Sequence, residues 1–263
     1  MEKVILAGLE TKDKTRAEVE NSLDELESLC LTAGAVTLGK IVQKRDVPDA
    51  ACFIGKGKAL EIKELLGVTK AAGVVFDDQL KPIQQRNLEK IIEAGVIDRT
   101  RVILDIFAFR ARTKEGKLQV ERAELAYASA RLANQGVNLD SQSGGIGTRR
   151  GPGERKIESD KRVIRDRIAE LDREIKKIKN RRDTQRGGRK NADLPEVAIA
   201  GYTNAGKSTL LKNLSKSDIY ADDKLFATLD PVTRKVRLPG GRNVLFTDTV
   251  QLEIGRASCR ERV

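Results

Sequence analysis

Gly201-Tyr202-Thr203-Asn204-Ala205-Gly206-Lys207-Ser208 follows a short apolar run, Val197-Ala198-Ile199-Ala200, and opens onto Thr209-Leu210-Leu211-Lys212-Asn213-Leu214. A strand, a glycine-bounded loop and a helix in that order make a phosphate-binding P-loop. The residue types suit the chemistry. Gly201 and Gly206 accept backbone dihedrals that a side chain forbids, so the loop can wrap an anion. Successive N–H groups and the positive end of the following helix then face it. Lys207 adds a point charge toward the outer phosphates, and the Ser208 hydroxyl is a ligand for Mg²⁺. The expected nucleotide contacts here are Gly201, Tyr202, Thr203, Asn204, Ala205, Gly206, Lys207, Ser208 and Thr209.

Outward from that loop, composition narrows the function classes. The 263 residues are enough for more than one domain. Lys and Arg number 50 against 39 acidic residues, a net charge of +11. Such a surplus points to a polyanionic partner, nucleic acid or an anionic membrane. No apolar stretch is long enough to span a bilayer, and no signal-peptide pattern opens the chain. Cys30, Cys52 and Cys259 are scattered and odd in number, which suits a reducing cytoplasm. With no histidine, Ser–His–Asp catalysis and histidine-ligated zinc are excluded. Aromatics make up 3% of the chain and tryptophan is absent, so base stacking on an aromatic platform is not expected.

The N-terminal third alternates strand-like and helix-like segments. Strands are expected over Val4 to Leu9, Ala35 to Gln43, Gly73 to Asp77 and Gly95 to Asp98. Helices are expected around Val19 to Cys30, Lys58 to Leu66 and Pro82 to Ala94, with one more ending near Arg112. That alternation implies a parallel sheet covered on both faces. Gly55-Lys56-Gly57-Lys58 suits an anion at a helix N-terminus and suits a plain glycine turn equally well. Asp77-Asp78 lacks clustered partner ligands and reads as a solvated strand end or helix cap, not a metal site.

The middle is helical and basic. Leu118, Leu125 and Leu132 give one helix a narrow seam. A glycine-dense stretch from Gly136 to Gly153 is expected to be a mobile loop. Beyond it, Ile157, Ile164, Ile168, Leu171, Ile175 and Ile178 form a heptad seam. Two seamed helices joined by a loop are expected to pair as an antiparallel hairpin. Residues 149–190 hold 17 Lys/Arg against 8 Asp/Glu. Arginines at a loop tip favour contact with RNA phosphates, and Arg149, Arg150, Arg155 and Lys156 are the candidates.

After the P-loop come Phe226-Ala227-Thr228 in a hydroxyl-rich loop and Val244-Leu245-Phe246-Thr247, a strand ending in Asp248. In nucleotide switch proteins a loop threonine closes on Mg²⁺ and the γ-phosphate, and an aspartate at a neighbouring strand end holds the metal. Thr228 and Asp248 stand in that order. Phe226, Ala227, Thr228 and Asp248 therefore join the nucleotide site, and Ser208, Thr228 and Asp248 form the expected metal set. No catalytic residue is assigned.

Longer ordered motifs then carry a resemblance. They include Phe53-Ile54-Gly55-Lys56-Gly57-Lys58, Phe76-Asp77-Asp78, Gln84-Gln85-Arg86-Asn87-Leu88-Glu89 and Ile97-Asp98-Arg99-Thr100. Arg110 to Val120, Gly144-Gly145-Ile146-Gly147-Thr148, Gly151-Pro152-Gly153-Glu154, Gly201 to Thr209 and Phe226 to Pro231 follow. The chain resembles the HflX family, in the Obg–HflX group of translation-factor GTPases. The resemblance implies GTP hydrolysis with Mg²⁺ as cofactor. It also implies binding to the large ribosomal subunit and its rRNA, with the hairpin loop near the peptidyl-transferase centre, and ribosome splitting or rescue under stress. A monomer in the cytoplasm is expected, and the charge alone leaves partial membrane association open.

Two departures stand out. Gln251 occupies the position of a family glycine whose N–H would meet the γ-phosphate, which bears on switch movement and hydrolysis. Glu253 to Val263 resembles a translated sequencing adapter. With that tail set aside, the sequence stops before the Asn-Lys-x-Asp motif that reads guanine in the family. The nucleotide domain is then expected to be poorly ordered, with an open sheet edge.

The expected fold is α/β. Residues 1–115 form an N-terminal parallel-sheet domain and 116–190 a basic helical hairpin. Residues 191–252 form the first part of a P-loop GTPase domain, and 253–263 a foreign tail. Two other readings stay open on the residues alone: a non-catalytic RNA-binding module, and an ATP-using P-loop protein.

Overall fold

The computed structural model describes residues 2–133, 152–190, 195–199, 201, 206–215, 232–238 and 242–248. Strand β1 (Glu2–Glu10) is central in a four-stranded sheet with β2 (Ala35–Lys44), β3 (Gly73–Phe76) and β4 (Gly95–Asp98). The order is β2-β1-β3-β4, and every pairing is parallel. A parallel sheet needs both faces covered, and β1 shows why. Its residues 4–9 are all buried, because alternate side chains feed different layers. Ile5, Ala7 and Leu9 join a core with Ala59, Ile62 and Leu66 of α2 (Lys56–Thr69) and with Leu88 and Ile92 of α3 (Pro82–Ile92). On the other face α1 (Arg16–Thr32) buries Val19, Leu23, Leu26, Leu29 and Cys30.

Local signals explain the helix ends. Thr15 caps α1 in a capping box: its hydroxyl accepts from the Glu18 N–H, and Glu18 accepts from the Thr15 N–H at 2.8 Å. Pro82 starts α3, where its missing N–H costs nothing. At Gly73 a Cβ would stand 2.5 Å from the Gly95 carbonyl oxygen, so close pairing of β3 and β4 requires glycine there.

Three further helices follow in the chain, α4 (Arg99–Arg110), α5 (Lys114–Ala133) and α6 (Pro152–Lys190). Pro152 and Gly153, expected in the glycine-rich loop, open α6 instead, since proline suits a first helical turn. The rest of that loop lies outside the described residues. Ion pairs lace α5 to α6: Lys114–Glu174 at 3.4 Å, Glu115–Arg182 at 2.8 Å, Glu121–Arg167 at 2.8 Å, and Arg122–Asp172. Partners early in α5 lie late in α6, which makes the pairing antiparallel. Leu171 is fully buried in the heptad seam, and Ile164, Ile168, Ile175 and Ile178 are half-buried beside it.

A second sheet has the order β5-β7-β6, from β5 (Glu196–Ile199), β6 (Val232–Arg237) and β7 (Asn243–Asp248). Strands β5 and β7 are parallel, while β6 and β7 form an antiparallel hairpin. Helix α7 (Lys207–Ser215) buries Leu211, and among the described side chains of the strands Val236 and Val244 are buried.

The chain divides into two compact units. One contains residues 1–106 with 127–162, and the other 107–126 with 163–263.

Candidate functional site

The P-loop grows out of β5 and ends at α7. Gly201 is exposed just past the strand, and Gly206 immediately precedes the helix with φ of +80°. That left-handed value is one L side chains avoid. No atom lies within 4 Å of where a Cβ of Gly206 would be, so the backbone conformation and not crowding demands glycine. The Leu210 N–H donates to the Gly206 carbonyl at 2.9 Å and starts the helix. Lys207, the first residue of α7, folds back across the loop. Its Nζ donates to the Gly201 carbonyl oxygen at 2.8 Å. The Lys207 side chain thus ties the first turn of a nine-residue helix to the glycine that follows β5.

The second strand contributes by register. In the parallel pair, Ile199 stands opposite Asp248, and Asp248 also pairs with Val232 across the hairpin. The last residue of β7 therefore sits beside the strand end from which the P-loop departs. Ligands of parallel sheets gather at such carboxyl ends. Ser208 is the second residue of α7 and Thr209 the exposed third. The side chains of Ser208 and Asp248 fall outside the described residues, as do Tyr202, Thr203, Asn204, Ala205, Phe226, Ala227, Thr228, Gln251 and the 253–263 tail. Arg149 and Arg150 lie outside them too, whereas Arg155 and Lys156 are on the first turn of α6 with side chains not described. Oxygen donors at the start of α7 and the end of β7 are of the kind Mg²⁺ takes, so the residues present fit that ion.

Residues 196–261 match a family model described as 50S ribosome-binding GTPase. Residues 20–108 match GTP-binding GTPase N-terminal, and residues 110–189 match GTP-binding GTPase Middle Region. GTPase HflX of Lacrimispora saccharolytica is 52% identical over 249 residues, covering 95% of this chain and 58% of that protein. The chain belongs to the HflX family. GTPase HflX of Alkalihalophilus pseudofirmus is 48% identical, with 95% and 59% covered. That of Escherichia coli is 45% identical, with 91% and 55% covered. The chain thus spans less than two thirds of the length of the HflX proteins it matches. The solved complex of SsGBP with GDP covers 95% of this chain and 62% of that one, with a TM-score of 0.51 at 22% identity, a likeness of fold alone.

Elsewhere in this HflX chain the geometry revises the sequence reading. Asp77 is buried and accepts from Arg99 Nη1 at 2.9 Å, and Arg99 also meets Glu25 at 2.7 Å and Ser22 at 3.2 Å. It is therefore not a solvated strand end, because the Arg99 cation supplies what water would. Asp78 pairs with Lys14, and burial pushes its carboxyl above the ordinary range despite that partner. Among the described residues no cluster of three or more acidic or cysteine side chains could hold a metal. Gly55 caps α2, and its N–H donates to Gln43 Oε1 at 2.8 Å. The turn at Gly55 is thus held from within.

The sequence reading missed a buried network at Asp98, which joins Tyr127 and Arg131 of α5 to the N-terminal sheet. Its signal was present: Asp98 stands inside Ile97-Asp98-Arg99-Thr100, and Tyr127 and Arg131 are four residues apart, on one helix face. No helix among the described residues is long and apolar enough to cross a membrane.

Proposed function

We propose that the protein is an Mg²⁺-dependent GTPase of the cytoplasm that binds the large ribosomal subunit and acts in ribosome splitting or rescue under stress. The observation that carries the reading is the Lys207 bridge to Gly201 over a loop closed by left-handed Gly206. Lys207 would leave the Gly201 carbonyl for the outer phosphates, while the loop N–H groups cradle the inner ones. Ser208, Thr228 and Asp248 would hold Mg²⁺, which would offset the charge of the phosphates. Phe226 and Ala227 would flank Thr228 as it senses the γ-phosphate. Arg149, Arg150, Arg155 and Lys156 would contact rRNA phosphates at the hairpin end. The family descriptions and the HflX relatives support this reading, and the breaks between the matched segments, at residue 109 and at 190–195, lie near the proposed divisions at 115 and 190.

The test is equilibrium titration of the full-length protein with a fluorescent GTP analogue, with and without Mg²⁺. Saturable, Mg²⁺-strengthened binding is expected, with Lys207→Ala weakening it on the order of a hundredfold, as befits loss of a charge-assisted phosphate contact. Equal binding by the variant would remove the P-loop from the mechanism.

A further inference from the structure

The carboxylate of Asp98 is fully buried, 0% exposed, at the end of β4. Four donors converge on it. The Leu80 N–H at 3.2 Å and the Arg101 N–H at 3.1 Å belong to the α/β fold itself, before α3 and in the first turn of α4. The Tyr127 hydroxyl and Arg131 Nη2, each at 2.9 Å, come from α5. Arg131 does more than neutralise the acid. Its Nε donates to Gln85 Oε1 at 2.7 Å, and Gln85 Nε2 in turn donates to the Val96 carbonyl at 2.7 Å. The guanidinium also lies 3.3 Å from the Tyr127 ring centroid, a cation–π contact. A continuous polar chain thus runs from the β4 backbone into α5.

The physics makes this junction different from the ion pairs that lace α5 to α6. Most of those are exposed, as with Arg122–Asp172 at 48% and 50% side-chain exposure, and such pairs contribute little. A carboxylate buried to 0% is tolerable only while its cation and hydrogen bonds are in place. Moving α5 away would strand Asp98 and strip Arg131, itself only 19% exposed. The far half of α5 is therefore held to the sheet through Asp98, with Gln85 as a second partner of Arg131.

We propose that Asp98, through Tyr127 and Arg131, is the positioning residue that clamps residues 127–133 of α5 to the N-terminal sheet and so aims the basic hairpin at rRNA. The second half of that statement rests on the RNA-binding reading above. Asp98 itself touches neither nucleotide nor RNA.

Amide hydrogen exchange on the full chain, paired with pelleting on purified large ribosomal subunits, tests both halves. Asp98→Asn is expected to speed exchange over residues 127–133 by at least about tenfold while α1 amides keep their protection. Subunit affinity should fall severalfold, with binding of the GTP analogue unchanged. A second variant, Tyr127→Phe with Arg131→Gln, leaves the Leu80 and Arg101 donors in place and should give the same pattern if Asp98→Asn does not fold. Unchanged exchange at 127–133, or equal loss of protection in α1, would overturn the clamp. Full subunit affinity in a variant whose α5 has loosened would overturn the aiming. Arg149→Ala with Arg150→Ala probes RNA contact by itself. If that pair pellets like wild type, the RNA reading fails, while the exchange data still decide the clamp.

Discussion

Cys30 shows how a single side chain takes its chemistry from packing. It lies at 1% exposure on the inner face of α1. Burial first, and Glu27 second, push its thiol from an ordinary 9.0 up to about 11. The thiolate is the reactive form, so iodoacetamide at pH 8 should modify native Cys30 on the order of a hundredfold more slowly than the unfolded chain. Peptide mapping with and without urea checks this. The folded state holds the proton more tightly than the unfolded state. The stabilisation is therefore complete below pH 9 and is lost as pH rises toward 11, visible as a falling urea midpoint. At this scale the sequence was legible where one residue type has one job. Gly206 and Lys207 could be read directly, because a P-loop needs a left-handed residue and a cation next to each other. Asp77 could not. A carboxylate at a strand end looks the same in sequence whether water or Arg99 faces it, and Arg99 is 22 residues away.

Elements were easier to read than contacts between them. The heptad in α6 predicted a helix with one inner face, and the burial of Leu171 agrees. The Thr15–Glu18 capping box sets the start of α1 by rules local to four residues. Pro152 stands among glycines, a setting that predicts a loop, yet proline at a helix start is favourable and α6 begins there. Strand pairing is where locality ends. That β3 and β4 approach too closely for a Cβ at Gly73 is a fact about Gly95, 22 residues on, and only the register shows it. Gly73→Ala is expected to destabilise the N-terminal unit by about 1–3 kcal/mol, because the obstacle is a backbone carbonyl and not a side chain that can turn aside. Thermal or urea unfolding measures it, and a change within about 0.5 kcal/mol would mean that β4 shifts freely.

Across the whole chain, charge and nucleotide chemistry are carried by different segments. The P-loop is a feature of β5 and α7, whereas most of the positive surplus lies between residues 149 and 190. Alternation of strands and helices predicted the four-stranded parallel sheet, and the sheet order β2-β1-β3-β4 supplied what alternation cannot. The Asp98 clamp stayed hidden because its members are spread over residues 80–131 and none is unusual alone. The account's central claim is that a nucleotide gripped at Lys207 governs how the basic arm engages ribosomal RNA. Co-sedimentation of the full-length protein with large ribosomal subunits, in GDP and in a non-hydrolysable GTP analogue, tests it most directly. The account predicts more pelleting with the GTP analogue than with GDP, and no difference between the two for Lys207→Ala. Equal pelleting of the wild type in both nucleotides, or a nucleotide difference that survives Lys207→Ala, would contradict it.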